Sequence, residues 1–251
     1  MSMVTNEHKR QLVEQGYCVL RQVIDASLLV AARRAINISL SQGVDVAKLD
    51  EYRHVSWCPE LCTSSVINDL MNHSAMVQAT EEFLGKDSVT TSEYGQVALR
   101  FPQQCKKDDY SVPGAHLDGT GNGKNGIPDG TFLRNFSALA VCILSEQSQP
   151  WSGNFTVWPG SHHFANRWFL KNGNQDACRI YEDFAKADIE PVQVCGDPGD
   201  VIIAHHLTFH AGGPNMSDAI RYACIFRLVH SEVENFGEGA LYDPWREWSC
   251  E

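Results

Sequence analysis

From about residue 88 onward the chain is cut into short β-branched or aromatic runs: "YGQVALRF", "FSALAVCIL", "GNFTVWP", "DVIIAHHL" and "RYACIFRLV". Gly, Pro, Asn and Asp punctuate them, as in "SVPGAHLDGTGNGKNGIPDG" and "HAGGPNMSD". Many short strands with turns and few intervening helices predict an antiparallel sandwich or barrel. The fold class is therefore mainly β, and the β core is expected over residues 88–230.

Residues 1–87 read as mainly helical. "NEHKRQLVEQG" carries a short apolar stripe and stops at Gly16, and "YCVLRQVI" follows as a short strand. "DASLLVAARRAINISLSQG" has apolar residues at helical spacing, with Asp25 or Ser27 placed to cap it and Gly43 to end it. "SVINDLMNHSAMVQATEEFLG" supplies one or two more helices. Within the β region, residues 162–188 read as an insertion with helical pieces. Residues 231–251 form a polar-aromatic tail that packs back on the domain or offers a contact surface. The 251 residues are expected to make one domain.

Charge narrows the partners. The net charge is −11, and the one Lys pair, in "CKKDD", is cancelled by its aspartates, so no nucleic-acid partner is expected. The N-terminus lacks the apolar core of a signal peptide, and runs such as "ALAVCIL" are too short to span a bilayer, so no membrane partner is expected. Nine scattered cysteines with no C-x2-C pair suggest free thiols in a reducing, cytoplasmic compartment. The five N-x-S/T sequons are then chance matches. Oligomeric state is expected to be monomer or weak dimer.

Several catalytic signatures are missing. "GTGNGKNG" is not a P-loop, because Asp118 and Asn125 stand where that motif needs Gly and Ser or Thr. There is no G-x-S-x-G elbow, no H-E-x-x-H and no zinc-deaminase pair.

What remains is histidine and carboxylate. In an extended "HLD" segment, His116 and Asp118 point to one face and Leu117 to the other. A second histidine from another strand would complete two imidazoles and one carboxylate on one side of a metal. That set suits Fe(II) and leaves positions open for a bidentate co-substrate and dioxygen. "AHHLTFHAGGPN" offers His205, His206 and His210. If residues 199–210 form one strand, His206 and His210 share a face and His205 does not, so alternation cannot choose between the first two.

Five stretches in order resemble the phytanoyl-CoA dioxygenase family of Fe(II)/2-oxoglutarate oxygenases: "GYCVLRQVI", "LRFP", "HLD", "SGNFTVWPGSHH" and "GDVIIAHHLTFHAGGPNMSDAIRYA". The resemblance covers roughly residues 10–230. It implies a double-stranded β-helix (jelly-roll, cupin-like) core and makes His116, Asp118 and His210 the iron ligands, choosing His210 by its spacing to Asn215 and Arg221. It makes Arg221 the anchor of 2-oxoglutarate, whose far carboxylate needs a buried, permanently charged, bidentate partner. Gln96 resembles a position that contacts 2-oxoglutarate in relatives, and Thr156 and Trp158 are placed to line the cavity. Asn215 is expected to shape a turn, and His162 and His163 to sit in a loop.

Two departures stand out. Gly153-Asn154 replaces the family's N-G, and Asn122 stands where some relatives place an aromatic residue against the co-substrate. The intact Asp118 disfavours halogenation, for which relatives give up that carboxylate.

The implied activity is a dioxygenase using Fe(II), 2-oxoglutarate and dioxygen to hydroxylate a C–H bond of a small molecule. Arg100, Lys124, Arg134, Arg167 and Trp151 are placed to rim the barrel and meet an anionic or amphipathic substrate. The rival readings are a cupin-type dioxygenase that does not use 2-oxoglutarate and a catalytically silent binding relative.

Overall fold

The structure, a computed structural model, describes residues 2–104, 111–112, 114–121 and 127–250. Two antiparallel sheets face each other. The larger has five strands in the order β1 (Tyr17–Leu20), β6 (Val201–His205), β3 (Ala138–Ile143), β8 (Arg221–Leu228) and β2 (Gly95–Arg100). The smaller has three in the order β5 (Val192–Gln193), β4 (Phe155–Val157) and β7 (His210–Gly212). This is the jelly-roll architecture expected above.

The centre of the large sheet explains its sequence. β3 lies between β6 and β8, with Ala140 opposite Ile203 on one side and Phe226 on the other. All six of its residues are buried, so "ALAVCI" is continuously apolar rather than alternating. Leu139, Val141 and Ile143 turn inward and meet Phe155 and Val157 of the small sheet. Ala138, Ala140 and Cys142 turn outward to a second apolar layer. There they meet Leu29, Ala32 and Ile36 of α2 (Ala26–Ser41), Ile67 and Leu70 of α4 (Ser65–Asn72) and Phe83 of α5 (Met76–Leu84). Each such Leu, Ile or Phe contributes about 1.5–3 kcal/mol by leaving water.

The expected helix ends are partly realised. α1 (Asn6–Gln15) begins at a reciprocal cap, in which the His8 amide donates to Thr5 Oγ1 and the Thr5 amide to His8 Nδ1, each at 3.2 Å. It ends at Gly16, whose φ of 82° is the left-handed conformation a helix stop needs. α2 starts after Asp25, but the Asp25 side chain makes no capping hydrogen bond. Between α2 and α4, α3 (Leu49–His54) lies over one mouth of the sandwich.

Residues 162–188 carry α6 (Ser161–Asn172) and α7 (Arg179–Phe184). These cover the outer side of the small sheet: Phe169, Ile180 and Phe184 pack with Leu117, Trp158 and Phe209, and the Phe184 and Phe209 rings stack at 3.7 Å. His162 and His163 therefore lie on a helix, not in a loop. The turn at Pro159-Gly160 is only as long as the left-handed Gly160 (φ 78°), and the helix starts at Ser161.

The tail packs back on the domain. Arg134 and Glu247 form a buried ion pair, each side chain 1% exposed, so Arg134 is not on the rim. Removing either partner of this buried pair would be strongly destabilising, so the pair ties the tail to the domain. The Trp245 and Trp248 rings lie 4.9 and 5.3 Å from that of His205. No helix among the described residues is long and apolar enough to cross a membrane.

The buried histidines make the fold acid-sensitive. Burial, followed by the charge of His163, pushes the His162 pKa down to about 4. Burial, followed by the charge of Arg134, pushes that of His206 down to about 3. The unfolded chain takes up protons on these imidazoles below about 6.5 while the folded chain does not, so stability is intact above that pH and declines as pH falls toward 4. Each group is expected to cost about 2 kcal/mol between pH 6.5 and 5. Thermal midpoints measured at pH 7 and pH 5 should show the fall, and His206→Leu should reduce it.

Candidate metal centre and its cavity

Strand alternation builds the cavity wall. In β8 the odd residues Arg221, Ala223, Ile225 and Arg227 face the sandwich interior, while Cys224, Phe226 and Leu228 pack against the helical layer. β2 runs antiparallel beside it, with Arg100 opposite Arg221, Ala98 opposite Ala223 and Gln96 opposite Ile225. Gln96, Arg100, Arg221 and Arg227 thus line one cavity of about 180 Å³ together with His116, Asp118 and His210.

The two histidines meet through their backbones. His116 N–H donates to the His210 carbonyl at 2.9 Å, and His210 N–H to the His116 carbonyl at 3.0 Å, so the "HLD" segment joins the edge of the small sheet. Leu117 turns away into the apolar cluster under α6 and α7, as the alternation predicts. Asp118 Oδ1 then lies 3.6 Å from His116 Nε2 and 3.7 Å from His210 Nε2. One donor atom from each of the three residues lies within 4.8 Å of the others.

Hydrogen bonds and neighbouring charges orient the three groups. His210 Nδ1 lies 3.0 Å from the Thr208 carbonyl, which fixes the proton on Nδ1 and leaves the Nε2 lone pair facing Asp118. Desolvation and then the neighbouring His210 hold the pKa of His116, whose side chain is half exposed, below its ordinary value. Burial pushes the Asp118 carboxyl up, but its contacts to His116 and His210 and the charge of Arg227 outweigh this and hold it well below the usual carboxylate range. Arg227 Nη2 donates to the far oxygen, Asp118 Oδ2, at 2.6 Å, so Oδ1 is the oxygen turned to the histidines. Arg227 Nη1 also reaches Gln96 Oε1 at 3.4 Å.

Arg221 occupies the other end of the wall. Its Nε donates to the Gly153 carbonyl at 2.6 Å and its Nη1 to the Ala98 carbonyl at 3.0 Å. It is 5% exposed, and no carboxylate among the described residues pairs with it. Burial, followed by the charge of Arg100, pushes its pKa down to about 9. Gly153 accounts for one departure from the family pattern. A Cβ there would lie 2.9 Å from Arg100 Cβ and 3.0 Å from Arg221 Cβ, so only glycine lets this backbone approach the pair of arginines.

Not every expected residue reaches the cavity. Thr156 is fully buried on the face of β4 opposite Phe155, and its hydroxyl bonds the Asn154 carbonyl at 3.3 Å, away from the cavity lining. Trp158 sits in the apolar cluster beside Phe184. Arg167 is exposed on α6, and Trp151 does not line the cavity. Lys124 and Asn122 lie outside the described residues. Asn215 shapes the turn after β7, donating to the Arg100 and Ala219 carbonyls at 2.8 and 2.7 Å.

The strand assumed over residues 199–210 is in fact two. β6 ends at His205, the chain turns through His206 and Leu207, and β7 begins at His210. His205 is spent on structure: its Nε2 lies 2.8 Å from the Pro244 carbonyl and its Nδ1 accepts the Leu207 amide at 3.1 Å. Sequence reasoning missed Arg227, although its even spacing from Arg221 was the available signal. It also missed Phe155, whose ring stacks on His210 at 5.3 Å, and the roof, where Tyr52, Arg53 and His54 of α3 and Trp57 just beyond it line the cavity.

The model of the family described as phytanoyl-CoA dioxygenase matches residues 12–223. No curated protein matches the sequence significantly. Solved structures that share the fold at low identity include the following three. The non-haem alpha-ketoglutarate-dependent carbocyclase SnoK from nogalamycin biosynthesis is 19% identical, with TM-score 0.57 over 90% of this chain and 83% of its own. EctD from S. alaskensis with bound Fe is 18% identical, with TM-score 0.57 over 90% and 76%. HygX from Streptomyces hygroscopicus, with nickel and 2-oxoglutarate bound, is 16% identical, with TM-score 0.57 over 89% and 86%. With 212 consecutive residues matched and the jelly roll on the page, the chain belongs to the phytanoyl-CoA dioxygenase family.

Proposed function

We propose that this protein is an Fe(II)- and 2-oxoglutarate-dependent dioxygenase acting in the cytoplasm on a small molecule. The observation that carries this reading is the convergence of His116, Asp118 and His210 on one cavity that also holds the buried, uncompensated Arg221. Two imidazoles and one carboxylate on one side of an ion suit Fe(II) and leave sites open for other ligands. A guanidinium at the far end of the same cavity suits a dicarboxylate that reaches from the metal to the wall.

When bound, the iron and its co-substrate supply the oxidation: 2-oxoglutarate and dioxygen are converted to succinate and carbon dioxide as one oxygen atom enters a substrate C–H bond to give C–OH. The chain does the rest. His116, Asp118 and His210 hold the ion, and the Thr208 carbonyl keeps the His210 ring in its ligating tautomer. Arg227 turns one Asp118 oxygen toward the histidines by binding the other. Arg221 pairs with the co-substrate carboxylate, while Gln96, opposite Ile225, accepts from Arg227 at the metal end of the wall. Phe155, Val141 and Ile225 give the cavity an apolar side that excludes water. The use of Arg221 is what favours this reading over a cupin-type oxygenase without 2-oxoglutarate, which has no need of a buried, unpaired guanidinium.

Purified protein given Fe(II), 2-oxoglutarate and dioxygen should release succinate even without its primary substrate. His205→Ala should retain that release, because the His205 ring contacts the Pro244 and Leu207 backbone and the Trp245 and Trp248 rings and does not line the cavity. Succinate at background level in the folded, iron-loaded wild type would favour the silent-relative reading.

A further inference from the structure

The cavity carries more positive charge than the metal centre and co-substrate account for. Four arginines line it, Arg53, Arg100, Arg221 and Arg227, against one carboxylate, Asp118. This lies inside a chain whose net charge is −11. Arg227 is engaged by Asp118. Arg221 is assigned above to 2-oxoglutarate. Arg100 and Arg53 remain, and neither pairs with a carboxylate among the described residues.

The fold makes room for Arg100. Its guanidinium lies flat across Gly212, where a Cβ would come within 2.1 Å of Nη2 and 2.7 Å of both Cζ and Nε. Gly212 is two residues after His210 on β7, so the same strand face presents the metal ligand and the arginine side by side. Arg53 and Tyr52 come from α3 and Trp57 from the segment after it; the Tyr52 and Trp57 rings lie 5.7 Å apart, and Phe101 lies 4.8 Å from Trp57. Burial, and then the charge of Arg53, push the Arg100 pKa down, as two uncompensated cations facing one space should. Clustered guanidiniums with an open face are matched by an oxyanion that takes two parallel hydrogen bonds.

We infer that the primary substrate is a small anion whose carboxylate or phosphate group is held by Arg100 and Arg53, with its body against Tyr52 and Trp57 and a C–H bond turned toward the metal centre. The inference rests on the proposed function, since it takes Arg221 to be reserved for 2-oxoglutarate. Gly212 is part of the substrate site because it keeps the Arg100 guanidinium beside His210.

Sulfate is a suitable probe because it presents the oxyanion and ligates metals weakly. Protein carrying Ni(II) and saturating 2-oxoglutarate is titrated calorimetrically with sulfate at constant ionic strength. One sulfate per chain is expected, weakened at least about tenfold by Arg100→Gln and by Arg53→Gln. Gly212→Ala should weaken it similarly, because the new methyl meets only the movable end of a side chain and the fold can keep its shape. The 2-oxoglutarate affinity of these variants should stay within about threefold of wild type, which also shows that they are folded. Absence of sulfate binding in the wild-type ternary complex overturns the inference. So does a loss of 2-oxoglutarate affinity in Arg100→Gln as large as in Arg221→Ala, which would place Arg100 in the co-substrate site. If wild type binds no 2-oxoglutarate at all, the proposed function fails. The sulfate titration is then read on the Ni(II)-loaded protein: loss in Arg100→Gln retains the anion site, and no difference removes it.

Discussion

His210→Ala should abolish metal binding at micromolar Fe(II) and take succinate release to background, and Asp118→Ala should do the same. Losing a residue that only supports a ligand typically weakens a metal site about 10- to 100-fold, so losing one of three ligands should exceed 100-fold. The variants should remain folded. His210 keeps its backbone pairing with His116 whatever its side chain, and Asp118 is held in a turn. Removing Asp118 also leaves Arg227 without its partner, so Asp118→Ala should be the less stable of the two. Calorimetric titration with Ni(II), read beside circular dichroism, separates lost binding from lost structure. Retained metal affinity in His210→Ala would point to a different ligand set.

Arg221→Ala should leave metal affinity nearly unchanged and cost most of the affinity for 2-oxoglutarate. Removing one partner of a buried, hydrogen-bonded charge pair costs about 2–5 kcal/mol, or roughly 30-fold to several-thousand-fold in Kd. The large end is expected here because Arg221 is 5% exposed and oriented by two carbonyls, those of Gly153 and Ala98. Arg221→Lys should recover only part of the loss, because an ammonium offers a point charge where the guanidinium offers a fork. A change below threefold in Kd for Arg221→Ala would favour an oxygenase that does not use 2-oxoglutarate.

The sequence carried most of the β core because strand periodicity is a local signal. "ALAVCI" and "RYACIFRL" are β3 and β8, and the contrast between a continuous run and an alternating one reports whether a strand is covered on both faces. The pairing of His116 with Asp118 was legible for the same reason. The distal histidine was not, because alternation assumed one strand where the chain turns at His206 and Leu207 and starts again at His210. Family spacing, rather than periodicity, selected His210. Arg227 could have been found from its parity with Arg221. The roof could not: Arg53 and Trp57 reach the cavity because α3 folds over the open end of the sandwich, a tertiary placement that no short-range pattern encodes. Arg134 and Thr156 failed as cavity residues for a related reason. Each is close in sequence to the site, but its contacts, with Glu247 and with the Asn154 carbonyl, point elsewhere.

The central claim is that one metal-centred site takes up 2-oxoglutarate through His116, Asp118, His210 and Arg221. Calorimetric titration of 2-oxoglutarate into the protein with and without Ni(II), under nitrogen, tests it without knowledge of the substrate. The account predicts one 2-oxoglutarate per chain with Ni(II) present and an affinity at least about tenfold weaker without it, since chelation and the Arg221 pair act on one molecule. No binding to the Ni(II)-loaded protein, or binding indifferent to the metal, would contradict it.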